Sequence, residues 1–415
     1  MSRPAATVAP EPHATPPTDN APGSGSVGQT FLVGDRIYLR PIRADDASRS
    51  VAWRESPFPA SAKVAEKFLE EEVPKEAEKG VLRLVACRRS DDVPVGSAIV
   101  DFREDWPTAY GRLRAAPWPP ETASAVKAEM LGLLVPWLVD ERSAISVAFD
   151  LDGGEPAVVA AAEATGLRPA FRIREAIWRS GARHDWVAYQ KLHPAWLGRL
   201  GDPGPGILVG DDPPTAPRSP APRHRPESRF PLPPNTVVAS DRLALRPLGS
   251  GDADTAARAT TQETEDSFGE GRIPESPLLF AKWWGNHGEQ ATPDEVRFAI
   301  VLRATEETIG DNGLFNIDWI GKTAETGSFI FRPQHRGAGL GTEAKHLLLE
   351  YAFERLGLFA VWSWVTTANT RSAAALRKQG YRDAGRIDWV SVGRGEFQSA
   401  FLFDLQAEEW RAARR

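Results

Sequence analysis

The chain repeats itself, and that limits its fold to two copies of one unit. Asp35-Arg36-Ile37-Tyr38-Leu39-Arg40-Pro41-Ile42 returns as Asp241-Arg242-Leu243-Ala244-Leu245-Arg246-Pro247-Leu248. An Asp-containing, Ala-rich stretch follows each copy, the pattern of a strand, a turn and an N-capped helix. Towards the far ends, Gly166-Leu167-Arg168 answers Gly380-Tyr381-Arg382, each after an Ala-rich helical run. Arg172-Ile173 answers Arg386-Ile387, and Trp196 answers Trp410 at an offset of 214 residues.

Between the copies, Pro203 to Pro234 holds eleven of the 35 prolines, interleaved with Gly, Ser, Asp and Arg. Such a segment forms neither a helix nor an inner strand and reads as a semi-extended linker. The expected organisation is a disordered tail over 1–29, a domain over 30–200, a Pro-rich linker over 201–235 and a second domain over 236–415. The 415 residues agree, at roughly 100 to 200 per domain.

The 41% apolar and 26% charged fractions argue for a soluble globular chain, against a coiled coil or wholesale disorder. A net charge of -6 provides no global basic field, so no nucleic-acid partner is expected. The single cysteine, Cys87, excludes an intrachain disulfide framework and fits the cytoplasm. The amino terminus lacks the basic region and apolar run of a secretory signal. The most apolar stretch, Ala125 to Val139, falls short of the roughly 18 to 20 residues that cross a bilayer and contains Pro136, so no membrane span is expected.

In the second copy, periodicity predicts strands over Leu243 to Arg246, Phe298 to Leu302, Ile309 to Ile317, Gly327 to Phe331, Val361 to Thr366 and Phe397 to Asp404. Helices are expected over Asp252 to Arg258, Leu278 to Trp284, Thr342 to Leu356 and Ser372 to Lys378. This is a mixed α/β layer fold, helices covering a central sheet.

The chemistry lies in Phe331-Arg332-Pro333-Gln334-His335-Arg336-Gly337-Ala338-Gly339-Leu340-Gly341-Thr342-Glu343-Ala344, a strand end, a glycine-rich turn and a helix start. Glycines let the backbone approach a ligand, and the free amides and dipole of a helix N-terminus attract an anion. A phosphate or pyrophosphate is the natural guest. A Walker loop would need Gly-Lys-Ser/Thr, and the third glycine comes too early for the dinucleotide fingerprint.

Gln334, Gly337 and Gly339 satisfy the Gln/Arg-x-x-Gly-x-Gly/Ala loop of the GCN5-related N-acetyltransferases. Arg336 to Ala344, Leu349 to Leu358, and Asn369-Thr370-Arg371-Ser372-Ala373 before Gly380-Tyr381 are similar to the RimJ/RimL-like branch. The resemblance covers nearly all of Val237 to Trp410. It implies two tandem lobes, each a central, mostly antiparallel sheet covered by helices. It also implies acetyl-CoA, or another acyl-CoA, as cosubstrate, contacted by Phe331, Gln334, Arg336, Gly337, Ala338, Gly339, Leu340, Gly341, Thr342 and Asn369.

For catalysis the resemblance implies direct attack of a neutral amine on the thioester. Glu325, at the start of the strand before the loop, is the expected base, directly or through water. Asn369 would contact coenzyme A or an active-site water. Ser372 would touch the cofactor or hand a proton to the thiolate, or else only cap a helix. Leu376 stands where many relatives carry a tyrosine acid, so no general acid is assigned. His335 is expected to be exposed or to contact phosphate, and His287 and His346 lack paired ligands, so no metal is expected. Trp283, Trp284, Trp319, Trp362, Trp364 and Trp389 belong to a core or to the walls of an acceptor cleft. Glu263, Glu265, Asp266 and Glu270 form a solvated face or receive a cationic amine.

The first copy reads Arg114-Ala115-Ala116-Pro117-Trp118-Pro119-Pro120-Glu121-Thr122-Ala123-Ser124 at the loop position, with no glycine and three prolines that remove amide donors. Glu155 replaces the counterpart of Asn369. By resemblance this lobe is a degenerate acetyltransferase unit with a structural or acceptor-shaping role. The expected activity is transfer of acetyl to a primary amine, on a peptide or protein N-terminus or a small molecule. Two readings stay open beside it: longer-chain acyl transfer, from coenzyme A or an acyl carrier protein, onto a peptide natural product, and a noncatalytic acyl-CoA sensor or scaffold.

Overall fold

The computed structural model describes residues 31–56, 58–103, 107–117, 120–204, 206, 230–261, 274–285, 293–393 and 395–414. The tail expected over 1–29 and most of the expected linker lie outside the described residues. The first lobe supplies β1 (Leu32–Val33), β2 (Ile37–Pro41), β3 (Val81–Arg88), β4 (Pro94–Arg103), β5 (Thr108–Ala115), β6 (Ser146–Asp152), β7 (Arg168–Arg179) and β8 (Ala182–Leu192). The second supplies β9 (Val238–Ala239), β10 (Leu243–Pro247), β11 (Val296–Leu302), β12 (Glu307–Asp318), β13 (Thr323–Ile330), β14 (Ala360–Thr366), β15 (Arg382–Gly393) and β16 (Glu396–Gln406).

All join one 16-stranded sheet in the order β1-β2-β3-β4-β5-β6-β8-β7-β15-β16-β14-β13-β12-β11-β10-β9. The lobes therefore meet at β7 and β15 and run outward in mirror order. Each lobe is antiparallel apart from one parallel pair, β5 with β6 and β13 with β14.

The repeated opening motif builds the same device twice. The guanidinium of Arg40 donates to both oxygens of Asp46, at 2.8 and 2.7 Å, and Arg246 does the same to Asp252, at 2.8 Å each. Each aspartate also accepts a nearby backbone amide, from Arg43 or Gly249, so one carboxylate ties strand end to turn. Bidentate pairs of this kind combine charge with fixed geometry.

In the first lobe α1 (Ala62–Glu71), α2 (Val73–Glu78), α3 (Pro120–Pro136), α4 (Pro156–Ala164) and α5 (Pro194–Leu200) flank the sheet. In the second α6 (Ser250–Thr261), α7 (Pro277–Gly285), α8 (Leu340–Glu350), α9 (Thr370–Lys378) and α10 (Ala407–Ala412) do so. Met130, Leu131 and Leu134 of α3 share a core with Leu39, Leu84 and Val147, while Ala344, Leu347 and Leu348 of α8 share one with Leu245, Ile300 and Val361.

Pro136 does not break its apolar stretch. The helix runs through it into a π turn over Trp137–Glu141, where the Arg142 amide donates to the Trp137 carbonyl at 3.0 Å. The second lobe has the same turn over Tyr351–Arg355, with Leu356 donating to Tyr351 at 3.1 Å and Glu350 standing where Pro136 stands. The proline is therefore not what causes the turn. Thr122 to Glu141 is long and apolar enough to cross a bilayer by length and composition, with a mean hydropathy of 1.3. Here Met130, Leu131, Leu134, Val135 and Leu138 are buried against the first-lobe sheet.

Ala148, Phe171 and Ile173 of the first lobe pack with Ala384, Ile387 and Leu402 of the second. Gln190 donates to the Asp388 carbonyl at 2.6 Å and accepts the Asp388 amide at 2.9 Å, a reciprocal bond across the seam.

Candidate active site

The second-lobe site starts where its parallel ladder stops. Thr323, Ala324 and Glu325 pair with Ala360, Val361 and Trp362, and no further register joins β13 to β14 among the described residues. At that point the Thr326 and Ser363 hydroxyls lie 2.6 Å apart, Ser363 also donates to the Thr326 carbonyl at 2.6 Å, and the Tyr381 hydroxyl is 2.9 Å from Thr326. All three side chains are buried. Side-chain bonds thus take over from the ladder at the apex of the opening between the strands. Burial pushes the Tyr381 phenol well above its ordinary value.

The glycine-rich loop follows β13. A 3-10 turn, Pro333–His335, leads to Gly337 at φ +84° and Gly339 at φ +79°, left-handed positions that glycine occupies without a Cβ penalty. Gly339 is the N-cap of α8. Among the described residues the backbone amides from Gly337 to Thr342 have no hydrogen-bond partner; the first helical bond runs from the Glu343 amide to the Gly339 carbonyl. A Cβ at Gly337 would meet nothing within 4 Å, and one at Gly339 only Arg242 Nη2, at 3.8 Å. Open space, six free donors and a helix N-terminus suit the pyrophosphate of coenzyme A.

The loop is fixed from behind. Glu343, buried, accepts from the Ser240 hydroxyl and from Arg242 Nε at 2.7 Å, while Arg242 Nη1 donates to the Ala338 carbonyl at 3.2 Å. Arg336 turns back onto the Ile330 carbonyl, at 3.0 to 3.1 Å, and thereby holds the strand end. Phe331 is buried, so it offers only its backbone, and Leu340 is buried too. Gln334 is exposed beside His335, whose Nε2 faces Glu307 at 3.5 Å.

Glu325 lies inside β13, which begins two residues earlier at Thr323 rather than after it. The glutamate is half-buried, and its Oε2 accepts from Asn316 Nδ2 at 2.9 Å. Asn316 reaches it from a left-handed position, φ +49°, in the bulge of β12 between Phe315 and Asp318. Burial raises the Glu325 carboxyl above its ordinary value, against the opposing hydrogen bonds of Asn316 and Trp364 and the charge of Lys345. Asp311 lies on the same sheet face, since Asp311 pairs with Phe329 and Phe315 with Glu325. Burial pushes its carboxyl up to about 6, and it has no hydrogen-bond partner among the described residues. Between them the facing pair Gly313 and Gly327 makes room for the Phe315 ring, over which Arg297 sits at 4.6 Å.

Asn369 and Ser372 meet at the start of α9. Asn369 caps that helix, its Oδ1 accepting the Ser372 amide at 3.1 Å. Leu376 is buried in the core. Lys345 is buried in α8, and burial lowers its ammonium to about 7. Among the tryptophans, Trp284 stacks on Phe280, Trp319 donates to the Pro293 carbonyl, Trp389 is buried, Trp362 packs on Trp186 and Trp364 is 49% exposed. Glu263, Glu265, Asp266, Glu270 and His287, with the side chain of Trp283, lie outside the described residues. His346 is buried with neither ring nitrogen bonded, and no group of three His, Cys, Asp or Glu able to hold a metal occurs among the described residues. Asn316, Asp311, Lys345, Thr326 and Ser363 are additions to the residues singled out from sequence, and Tyr381, part of the repeat and the motif there, joins Thr326 at the bridge.

The first lobe differs at the matching place. Its parallel ladder runs for five registers, Thr108 to Arg112 with Ser146 to Asp150, against three in the second. Glu155 binds Lys127 at 2.7 Å, Ser124 at 3.0 Å and Arg179 at 3.0 Å, a cluster of charges at the position of Asn369.

Residues 242–382 match the acetyltransferase (GNAT) domain family. The second lobe thus carries an acetyltransferase (GNAT) domain. The chain is similar to N-acetyltransferase p20 of Bacillus licheniformis, itself uncharacterized, with 30% identity over 114 residues, 28% of this chain and 64% of the relative. With YjcK of Bacillus subtilis, named a probable N-acetyltransferase, it shares 33% over 93 residues, 22% of this chain and 51% of the relative. The chain thus spans between half and two thirds of these curated relatives. An acetyltransferase structure from Sphaerobacter thermophilus is 37% identical, covering 40% of this chain and 96% of that one, with a TM-score of 0.32. A spermidine N-acetyltransferase of Vibrio cholerae, solved with CoA and spermine, is 22% identical over 41% of this chain and 99% of that one, with a TM-score of 0.37.

Proposed function

We propose that the second lobe transfers acetyl from acetyl-CoA to a primary amine. The run of six free amides from Gly337 to Thr342 on the N-terminus of α8 carries this reading. Bound there, the cosubstrate supplies an acetyl thioester. The lobe's own groups then act on the amine. Glu325, with its carboxyl raised, takes the ammonium proton directly or through water, and Asn316 holds its other face in place. The freed amine forms the new C–N bond as the C–S bond breaks, and the second proton that its nitrogen sheds as the amide forms is the one the departing thiolate takes up.

The acceptor in this reading is a small amine with positive charge. Asp311, an unbonded carboxylate on the face that carries Glu325, supports a cationic guest over an apolar one. The experiment is to follow free thiol released from acetyl-CoA by the full chain with a panel of mono- and diamines and short peptides. Amine-dependent thiol release is expected. Coenzyme A binding without thiol release from any amine would overturn the reading in favour of a sensor.

A further inference from the structure

A cleft of about 410 Å³ opens in the first lobe, between the ends of β5 and β6. That is within the range of small-molecule sites, about 300 to 1,000 Å³. Asp150 stands in its wall. Its Oδ1 accepts both the Tyr110 hydroxyl, at 2.5 Å, and the Trp186 indole, at 2.6 Å, while Oδ2 has no partner among the described residues. An ionised carboxylate has about four acceptor positions, so half of this group is left for a guest.

The opposite charge is also present. Arg114 lines the cleft, bonds only the Val51 carbonyl, through Nε at 3.3 Å, and has no carboxylate partner among the described residues. The other charges in the wall are already matched: Lys127 and Arg179 to Glu155, Arg179 also to Asp152, and Arg112 to Glu55. Among the described residues of the wall, only Asp150 and Arg114 have no ion-pair partner.

Register sets their separation. Arg112 pairs with Asp150, and Arg114 follows two residues later on the same face, about 7 Å along the strand. From these positions we infer that the first-lobe cleft binds a small zwitterion of amino-acid size, its ammonium on Asp150 and its anionic group on Arg114, without coenzyme A. Pro117 lines the cleft, and the Glu155 cluster occupies the place that an open cofactor channel would need. Trp186 joins this cleft to the other lobe: its indole holds Asp150, and its ring meets Trp362 edge to face, centroids 5.1 Å apart. Trp362 is the register partner of Glu325.

The test titrates the full chain with glycine, β-alanine and 4-aminobutyrate by calorimetry and tryptophan emission, with n-butylamine and butyrate as single-charge controls. At least one zwitterion is expected to bind once per chain, shift the emission and bind tenfold or more tighter than either control. Asp150→Asn keeps an acceptor for Tyr110 and Trp186, and Arg114→Ala removes a single hydrogen bond, to the Val51 carbonyl. Each should weaken binding tenfold or more, while Glu325→Gln leaves it unchanged. Should Asp150→Asn not fold, Arg114→Ala decides. No binding of any zwitterion, equal binding of the controls, or loss in Glu325→Gln with retention in Arg114→Ala would overturn the inference. None of these outcomes depends on acetyl transfer, so the proposed activity stands or falls separately.

Discussion

Arg174 of the first lobe and Asp404 of the second share one buried ion pair across the seam. The Arg174 backbone amide and Nη2 both donate to that carboxylate, at 3.0 and 2.9 Å, and Arg382 binds it from its own lobe at 2.7 Å. Arg174 Nη1 also reaches Glu409, at 2.7 Å. Truncation in Arg174→Ala leaves Asp404 with one cation instead of two and should lower stability by about 1–3 kcal/mol in urea unfolding. The fragment 235–415 should still bind acetyl-CoA but lose solubility, because Ala384, Ile387 and Leu402 lose their cover of Phe171 and Ile173. A fully soluble fragment with unchanged transfer would show that the first lobe is an appendage.

Gly341 is the position at which to probe the loop. It is the second residue of α8 and lies outside the left-handed region, where proline is tolerated and only a free amide is lost. Gly341→Pro should weaken coenzyme A binding at least tenfold in calorimetry with little change in melting temperature. Gly339→Pro is a poorer probe, since φ +79° is closed to proline and the loop itself would rearrange.

Glu325→Gln should lower turnover by about 10²- to 10⁴-fold and leave coenzyme A affinity alone. The sign of its stability effect is opposite. A carboxyl whose folded value is raised binds its proton more tightly in the folded chain, so ionisation destabilises the fold as pH climbs above the unfolded value. The variant should therefore melt at an equal or higher temperature than the parent at pH 7, while losing activity. A lower melting temperature at pH 7 would contradict this account of the site.

Lys345 provides a second pH signature. Its folded value, lowered to about 7, means that the unfolded chain binds more protons between about pH 7 and 10. Stability should rise with pH across that window, by at most about 1.4 kcal/mol per pH unit, and be lost as pH falls through 7. Lys345→Met should be more stable than the parent at pH 6 and should lack that slope in thermal melts.

The loop and the duplication were legible because both are local: glycines at fixed offsets and a repeated Arg and Asp motif state their geometry in a few residues. Glu325 was legible as a residue but not as a site. Asn316 comes to it from a bulge, and a bulge leaves no mark in a period-two pattern. Lys345 reads as a solvated helix residue, yet every residue of α8 from Glu343 to Leu349 is buried, which depends on what packs around the helix. The first-lobe cleft was hidden for a related reason. Missing glycines announce the loss of a phosphate cradle, but the wall of charges comes from Glu55, β5, α3, β6, Glu155 and β7, which only the folded sheet brings together.

The π turns at Trp137–Glu141 and Tyr351–Arg355 bear on ancestry. Such a turn arises when one residue is inserted into a helix, and the two halves carry it at the same 214-residue offset that separates Trp196 from Trp410. If the halves arose by copying, the insertion is older than that event. One half carries glycines and free amides at its loop and the other carries prolines, yet both share the same irregularity in the helix. In this lineage a structural scar has outlasted the chemistry beside it.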